Sequence, residues 1–179
     1  MMQKKKKTVN LIGYSVDPYT KLPKGDNWTL NALMYSRQPI NLHFYLHDKY
    51  SMAEYNRLAN WANERGIPVA LCSSNKDFDF PFIYPLKAVI KRFGNDYFTS
   101  TLAYMLALAI HLGYEKIRII GMPYYTAIEW FEQKACAEFW IGVAIGRGIE
   151  VEITHSHSIF LQQPDGELYG YEKKSEDIK

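Results

Sequence analysis

The sequence predicts a single α/β domain with an open, mostly parallel sheet and helices on both faces, a Rossmann-like arrangement. Short apolar, β-branched segments alternate with longer segments of helical periodicity, as in βαβ units. Residues 97–125 contain one complete helix–strand unit with its own start and stop signals. The length of 179 residues and the hydrophobic fraction of 47% are sufficient for one domain with a full core.

The helix–strand unit, YFTSTLAYMLALAIHLGYEKIRIIGMPYY, is the best-defined part of the chain. Thr99 and Ser100 provide the hydroxyl groups of a helix N-cap. Apolar residues then recur at helical spacing as far as Gly113, a residue type that ends helices in the left-handed conformation. The β-branched segment 117–120 predicts a buried strand that ends at Gly121. Ligands of open α/β sheets bind outside the carboxyl ends of the strands, where helix N-termini also lie, so we expect a binding site here.

The first three strands are predicted from short apolar segments that are followed by turn residues. Residues 8–13 (TVNLIG) form the first strand, and the polar residues 14–26 form a loop that contains two prolines and a glycine. Residues 28–30 form the second strand and residues 40–46 (INLHFYL) the third.

The next two elements are an amphipathic helix and a strand. Residues 51–65 have helical periodicity, begin with a capping box formed by Ser51 and Glu54, and end at Gly66. Residues 67–71 (IPVAL) form the fourth strand.

The C-terminal half adds two helices and a strand around the central unit. Residues 77–85 form a loop rich in Phe, Pro and Tyr, which leads into a short helix through Arg92. Residues 127–146 form a long helix, and residues 150–153 form the last strand. The residues expected on the buried face of the long helix are Phe131, Ala135, Phe139, Gly142 and Ile145.

These elements together predict a sheet of about five to six strands. We expect residues 1–7 to be a basic, disordered N-terminus, residues 8–163 to form the domain, and residues 164–179 to be a polar tail.

Composition restricts the classes of partner and compartment. The net charge is only +2, and the lysine run at residues 4–7 exceeds it alone, so no strong nucleic-acid signal is present. No apolar run reaches membrane-spanning length, and no signal-peptide core follows the basic start, so a cytoplasmic protein is expected. Cys72 and Cys136 lack metal-ligand spacing and are expected to be reduced, buried thiols.

Aromatic residues are unusually frequent. They make up 15% of the chain, with 14 Tyr and 4 Trp. We expect some of them to line a pocket or a subunit contact, and with the long helix 127–146 they predict a homo-oligomer.

Polar residues at predicted strand ends and helix starts define a candidate site at the carboxyl edge of the sheet. His47 and Asp48 follow the third strand and are the candidate catalytic residues, because a histidine pKa near neutrality suits proton transfer. The candidate ligand-binding residues are Gly13, Tyr14, Ser15, Asn31, Thr99, Ser100, Tyr125, Glu129, Gln133, His155 and His157. This set favours a ligand with a phosphate and a base or ribose, as in a nucleotide, with no certain cofactor and no metal site.

The same residues also have structural interpretations. Gly13 is not part of a G-x-G-x-x-G fingerprint, and a strand-ending turn explains it as well as a phosphate contact does. Asn31 also suits a turn, and capping alone explains Thr99 and Ser100. Core packing also explains the tyrosines, and a solvated helix face also explains Glu129 and Gln133. His155 and His157 lie on one face of a strand, but two histidines alone do not make a metal site.

A resemblance to known families rests on several of these segments. FTSTLAYMLALAIHLGYEKIRIIGMPYY resembles the central helix–strand unit of the bacterial sialyltransferase-like families, which have a Thr-Ser-Gly start, a helix ending Leu-Gly-Tyr and a strand ending Gly-Ile-Asp-Phe-Tyr. The chain is also similar to the hydroxymethylpterin pyrophosphokinase family. Uncharacterised bacteriophage proteins of about this size resemble most of the chain, including the segments WTLN, FYLHD and the Gly-x-Ala-x-Gly-Arg-Gly end of the long helix.

The sialyltransferase resemblance implies roles for particular residues. It implies that Asn31 holds the nucleotide, that Thr99 and Ser100 lie by the sugar and phosphate, and that Tyr125 contacts phosphate. A histidine serving the nucleotide, or acting as base, corresponds to His155 or His157. Two departures concern catalysis more than fold: Pro123 replaces an aspartate of the family, and IGYSVDP replaces a Gly-Asn-Gly-Pro-Ser turn.

Three functions are therefore expected as alternatives. The first is a small phage-type glycosyltransferase-like enzyme that uses an activated sugar. The second is a non-catalytic nucleotide binder, such as a sensor or sponge. The third is a Mg²⁺-dependent pyrophosphoryl or nucleotidyl transferase, which needs clustered carboxylates that the sequence does not display.

Overall fold

The domain is built around one parallel sheet. The computed structural model describes residues 7–17, 19–30, 38–46, 52–124, 129–154, 160–161, 167–168 and 173–174. In chain order the sheet strands are Thr8–Ile12 (β1), Asp26–Leu30 (β2), Leu42–Phe44 (β3), Val69–Leu71 (β4), Pro81–Ile83 (β5), Lys116–Ile120 (β6) and Glu150–Ile153 (β7). All seven pair in parallel, in the order β5-β4-β3-β2-β1-β6-β7. The predicted parallel α/β sheet is confirmed.

Helices cover both faces of this sheet. They are Met52–Glu64 (α1), Leu86–Phe93 (α2), Thr101–His111 (α3) and Lys134–Gly146 (α4), and a π-helix, Glu129–Gln133, leads directly into α4. Two short strands near the C-terminus, Glu167–Leu168 (β8) and Lys173–Lys174 (β9), pair antiparallel with each other.

The strand order reverses beside β1. From β1 the chain adds strands outward on one side as far as β5, then returns to place β6 and β7 on the other side of β1. The carboxyl ends of β1 and β6 therefore flank a topological switch point, the position at which ligands bind in open α/β sheets.

The two faces of the sheet carry separate cores, because successive strand residues point to opposite sides. On β3, His43 faces α1, where its ring lies 5.2 Å from that of Trp61, while Phe44 belongs to the core on the other face. Helix α3 lies in this second core and is apolar almost all round, with eight buried residues. Ser100 caps α3, with its Oγ accepting from the Ala103 amide at 3.3 Å, and Gly113 follows the helix with a φ of 74°, as predicted.

His43 is a fully buried polar residue in the sheet. Its Nδ1 lies 2.8 Å from Thr29 Oγ1, and its Nε2 has no hydrogen-bond partner in the described part of the chain. Burial lowers the pKa of His43 from 6.5 to about 3, because the charged imidazole is desolvated. The ring is therefore neutral in the folded protein at physiological pH.

This burial predicts a loss of stability in mild acid. The unfolded chain binds a proton at His43 near pH 6.5, but the folded chain does so only near pH 3. Between these values the unfolded state binds more protons, so the free energy of unfolding falls as pH decreases, by up to ~1.4 kcal/mol per pH unit. Urea unfolding at neutral pH and at about pH 5 should show a larger loss in the wild type than in His43→Gln. Equal losses in the two proteins would contradict this account of His43.

The strand count differs from the expectation of five to six. The additional strand is β5, which lies in the segment 77–85 predicted to be a loop. Its first residue, Pro81, has no amide hydrogen to donate, but β5 is an edge strand, where proline is tolerated. Strand β3 is also shorter than the predicted range 40–46.

The predicted buried face of the long helix was wrong. Residues 125–128 and the Trp130 side chain lie outside the described residues, and the helix begins as the π-helix at Glu129. Phe131 is 85% exposed and Ile145 50% exposed, whereas the face formed by Cys136, Ala137, Trp140, Ile141 and Ala144 packs into the core. Both faces of α4 are apolar, so periodicity alone did not determine which one points inward.

Two expectations from composition concern the thiols and the membrane. Cys136 is buried as expected, but Cys72 is exposed because it follows β4 in a surface turn. Within the described ranges, no helix combines the length and apolarity needed to cross a bilayer.

Candidate functional site

The turns after β1 and β6 pack directly on each other at the switch point. The Gly13 amide donates to the Ile120 carbonyl at 2.7 Å, and the Ser15 amide donates to the Gly121 carbonyl at 3.1 Å. A Cβ on Gly13 would lie 2.3 Å from both the Gly121 carbonyl oxygen and Met122 Cγ, so no larger residue fits. This close approach explains the glycine without a ligand, and it fixes the loop that continues into Tyr14.

A pocket opens between this loop, the N-terminus of α3 and the π-helix. The residues that line it are Tyr14, Leu30, Thr99, Ser100, Thr101, Leu102, Met122, Tyr124, Glu129 and Gln133. Its volume is about 120 Å³, well below the ~300–1,000 Å³ of pockets that enclose a whole ligand. A phosphate or a sugar fits such a space, but a complete nucleotide does not.

The start of α3 is the positive end of the pocket. The first amides of a helix have no partner within the helix and carry the positive end of its dipole. The Ser100 side chain accepts from the Ala103 amide, while Thr101 and Leu102, the first two helical residues, line the pocket. A helix end with this geometry favours an anionic group.

Thr99 connects the start of α3 to the π-helix on the other side of the pocket. Its hydroxyl donates to the Glu132 carbonyl of the π-helix at 2.6 Å, and its amide donates to Cys136 Sγ at 3.4 Å. The Thr99 hydroxyl is thus engaged in joining α3 to the π-helix. π-Helical turns are frequent at functional sites, and this one directs Glu129 and Gln133 toward the pocket.

Tyr124 is strained and buried at the base of the pocket. Its φ of 52° lies in the left-handed region, which costs a tyrosine ~1–3 kcal/mol and persists at functional sites when its surroundings enforce it. Burial raises the pKa of the Tyr124 phenol, and a hydrogen bond with the Ser100 side chain acts in the opposite direction. The phenol therefore remains protonated and can donate a hydrogen bond next to the helix N-terminus.

A hydrogen bond closes one side of the pocket. The Tyr14 hydroxyl donates to Glu129 Oε1 at 3.2 Å, which links the loop after β1 to the π-helix. Glu129 supplies carboxylate oxygens and Gln133 an amide, and both groups can bind hydroxyls of a sugar.

The structure brings together about half of the residues predicted for the site. Tyr14, Thr99, Ser100, Glu129 and Gln133 line one pocket, and Gly13 and Ser15 support its loop. The predicted residues that lie outside the described part of the chain are Asn31, His47, Asp48, Tyr125, His155 and His157.

Some pocket residues are not among those predicted for the site. Tyr124, like Tyr125, follows the buried strand β6 and offers a phenol for phosphate or a base, but only Tyr125 was included, and Met122 follows the same strand. Thr101 and Leu102 follow from the same helix start as Ser100. Lys134, the residue after Gln133, pairs with Glu138 at 2.8 Å.

Among the residues that the structure describes, no group of three or more His, Cys, Asp or Glu residues is arranged to hold a metal ion.

The fold is shared with solved sialyltransferase structures. The chain is similar to CstII from Campylobacter jejuni in complex with cytidine-5'-monophosphate, with a TM-score of 0.58, 15% sequence identity, and coverage of 86% of this chain and 81% of that chain. It is also similar to the same sialyltransferase with a trisaccharide acceptor and CMP, with a TM-score of 0.59, 17% identity, and coverage of 86% and 83%. A third complex, with CMP-3FNeuAc, gives a TM-score of 0.54 at 17% identity, over 82% of this chain and 78% of that chain.

The sequence comparisons found nothing comparable. No known family matches the sequence, and no curated protein matches it significantly. At this level of identity the structural similarity establishes a common fold.

Proposed function

We propose that the protein binds a nucleotide or nucleotide-sugar at this pocket and transfers the activated sugar, as a small glycosyltransferase-like enzyme. The observation that supports this most strongly is the pocket at the switch point, beneath the N-terminus of α3, in a fold shared with a CMP-bound sialyltransferase. The phage origin and the cytoplasmic location expected from the sequence are part of this proposal.

In this proposal a phosphate of the ligand occupies the pocket. The amides at the start of α3 and the Tyr124 phenol donate to it, and Glu129 and Gln133 bind hydroxyls of the attached sugar or ribose. The pocket is too small for the whole ligand, so the base extends toward the carboxyl end of β2, where Asn31 follows in sequence.

Proton transfer in the proposed reaction is assigned to His47, with Asp48 beside it. A neutral imidazole would remove the proton from the acceptor hydroxyl as that oxygen attacks the sugar carbon, and the nucleotide would leave with the electron pair of the broken bond. His155 or His157 is the alternative base, as the resemblance implies.

Non-catalytic binding is the second candidate. It is favoured by Pro123, which stands where the sialyltransferase-like pattern has an aspartate. A binder of this type would hold the same nucleotide but release it unchanged.

Thermal unfolding with a ligand panel tests the proposal. A ligand that binds only the folded state raises the unfolding temperature, and at about 100 times its Kd it adds ~2.7 kcal/mol. We expect CMP, UDP or GDP, or one of their sugar conjugates, to raise it, with the free base and the free sugar as inactive controls. Chromatography of the same samples then separates the candidates, because an enzyme consumes the conjugate and a binder returns it intact. No stabilisation by any member of the panel would contradict nucleotide binding.

A further inference from the structure

The outer face of the long helix carries five apolar residues, and the half-buried ion pair of Lys134 with Glu138 lies among them. The residues of this outer α4 face are Phe131, Ala135, Phe139, Gly142 and Ile145, and all of them are exposed. They follow one another at spacings of three and four, so they lie on one side of the helix from the π-helix to the end of α4, with Glu138 between Ala135 and Gly142 on the same side. A helix that is apolar on both faces is normally buried on both.

No contact within the described part of the chain explains why position 142 is a glycine. Glycine in the interior of a helix costs ~1 kcal/mol relative to alanine. A Cβ built on Gly142 meets no atom of the described residues within 4 Å, so internal packing does not require this glycine. A surface that approaches α4 from outside would give this glycine a packing role.

The outer α4 face is complementary to itself when two copies of α4 run antiparallel. In that arrangement Phe139 of each copy lies against Gly142 of the other, and Ile145 lies against Ala135, so each large side chain meets a small one. In each pair the point halfway along the helix between the two residues lies at or next to residue 140. A single two-fold axis that passes beside residue 140 therefore brings both pairs together.

The charges at the edge of the stripe fit the same axis. Glu132 and Arg147 are both exposed, and Arg147, whose guanidinium lies 5.0 Å from the centre of the Phe93 ring, lines a surface groove together with Phe139. Their midpoint also falls beside residue 140, so the antiparallel pairing places Glu132 of each copy against Arg147 of the other. A parallel pairing would instead oppose Glu132 to Glu132 and Phe139 to Phe139.

We propose that the protein is a two-fold symmetric homodimer in which α4 packs antiparallel on α4 of a second copy, with Phe139 over Gly142 and Glu132 beside Arg147. This arrangement covers the exposed aromatic side chains with an isologous interface. It also covers the outer side of the π-helix, whose Glu129 and Gln133 line the pocket on the inner side.

Sedimentation equilibrium of the full chain without ligand tests the dimer, independently of the proposed function. The wild type should have twice the monomer mass at micromolar concentration. Gly142→Gln should be monomeric, because the new side chain occupies the space of Phe139, and its thermal stability at dilution should equal or exceed that of the wild type, because a helix-favouring residue replaces glycine. A monomeric wild type, or a Gly142→Gln variant that still dimerises, would overturn the proposal.

Charge reversal tests the antiparallel register. Glu132→Arg and Arg147→Glu should each weaken the dimer about tenfold, since each change affects two symmetric pairs, and the double variant should recover the loss. Glu64→Arg on α1, which covers the opposite face of the sheet, is the matched control and should leave the dimer unchanged. Failure of the double variant to recover would overturn the antiparallel arrangement.

Discussion

Ser100→Asp is expected to remove nucleotide binding while leaving the fold intact. Aspartate caps a helix as well as serine does, so the Ala103 amide retains its acceptor and stability is unchanged. The carboxylate, however, places a negative charge where the proposed phosphate binds, and like charges in a partly buried site repel strongly. Titration calorimetry with the ligand identified by thermal unfolding should show affinity reduced at least tenfold, equivalent to ~1.4 kcal/mol.

Two further variants separate the capping role of Ser100 from its place in the pocket. Ser100→Ala loses the cap and should reduce stability by ~1 kcal/mol, but it adds no charge and should weaken binding less than the aspartate does. Asn60→Asp adds the same charge on the exposed side of α1, across the sheet from α3, and should bind like the wild type. If Ser100→Asp binds the ligand normally, Ser100 is a cap only and the anion lies elsewhere.

Gly13→Ala is expected to destabilise the protein at the switch point. The new Cβ would lie 2.3 Å from the Gly121 carbonyl oxygen, and because that atom is backbone, the two turns must separate. Overpacking of this kind costs ~1–3 kcal/mol. The Gly13–Ile120 and Ser15–Gly121 hydrogen bonds should weaken with it, so urea unfolding should show the loss and the ligand should bind more weakly.

Gly142→Ala is the matched control for this substitution. Its Cβ meets nothing within 4 Å among the described residues, and alanine favours the helix, so the monomer should gain up to ~1 kcal/mol. Equal effects of the two glycine substitutions on stability would contradict the close approach of the turns at the switch point.

The fold was largely predictable because local and long-range signals agree. The cap at Ser100, the apolar helix that follows and the left-handed glycine at position 113 are all local features, and each occurs in the structure as expected. Strand β5 was missed because its proline is acceptable only at a sheet edge, and strand order is not visible in a short segment.

The hydrophobic periodicity of α4 does not determine which of its faces is buried. Both of its faces are apolar, and only the packing against α3 selects Trp140 rather than Phe139 for the core. If the proposed dimer forms, the face that periodicity indicated as buried is covered by the second copy.

The site was predictable as an edge of the sheet but not as a set of contacts. Ligands of open α/β sheets bind at the carboxyl ends of strands and near helix N-termini. This expectation was enough to place Tyr14, Ser100 and Glu129 together before any contact was known. The engagement of Thr99 with the Glu132 carbonyl required the π-helix, which has no established sequence signal. The left-handed backbone of Tyr124 is likewise imposed by tertiary packing, since tyrosine rarely adopts it.

A crystal structure with the stabilising nucleotide bound is the most direct test of the proposed site. We expect a phosphate at the N-terminus of α3, within hydrogen-bonding distance of the Thr101 or Leu102 amide and the Tyr124 hydroxyl. We also expect a sugar or ribose hydroxyl on Glu129 or Gln133. A nucleotide bound away from the carboxyl ends of β1 and β6, with this pocket unchanged, would contradict it.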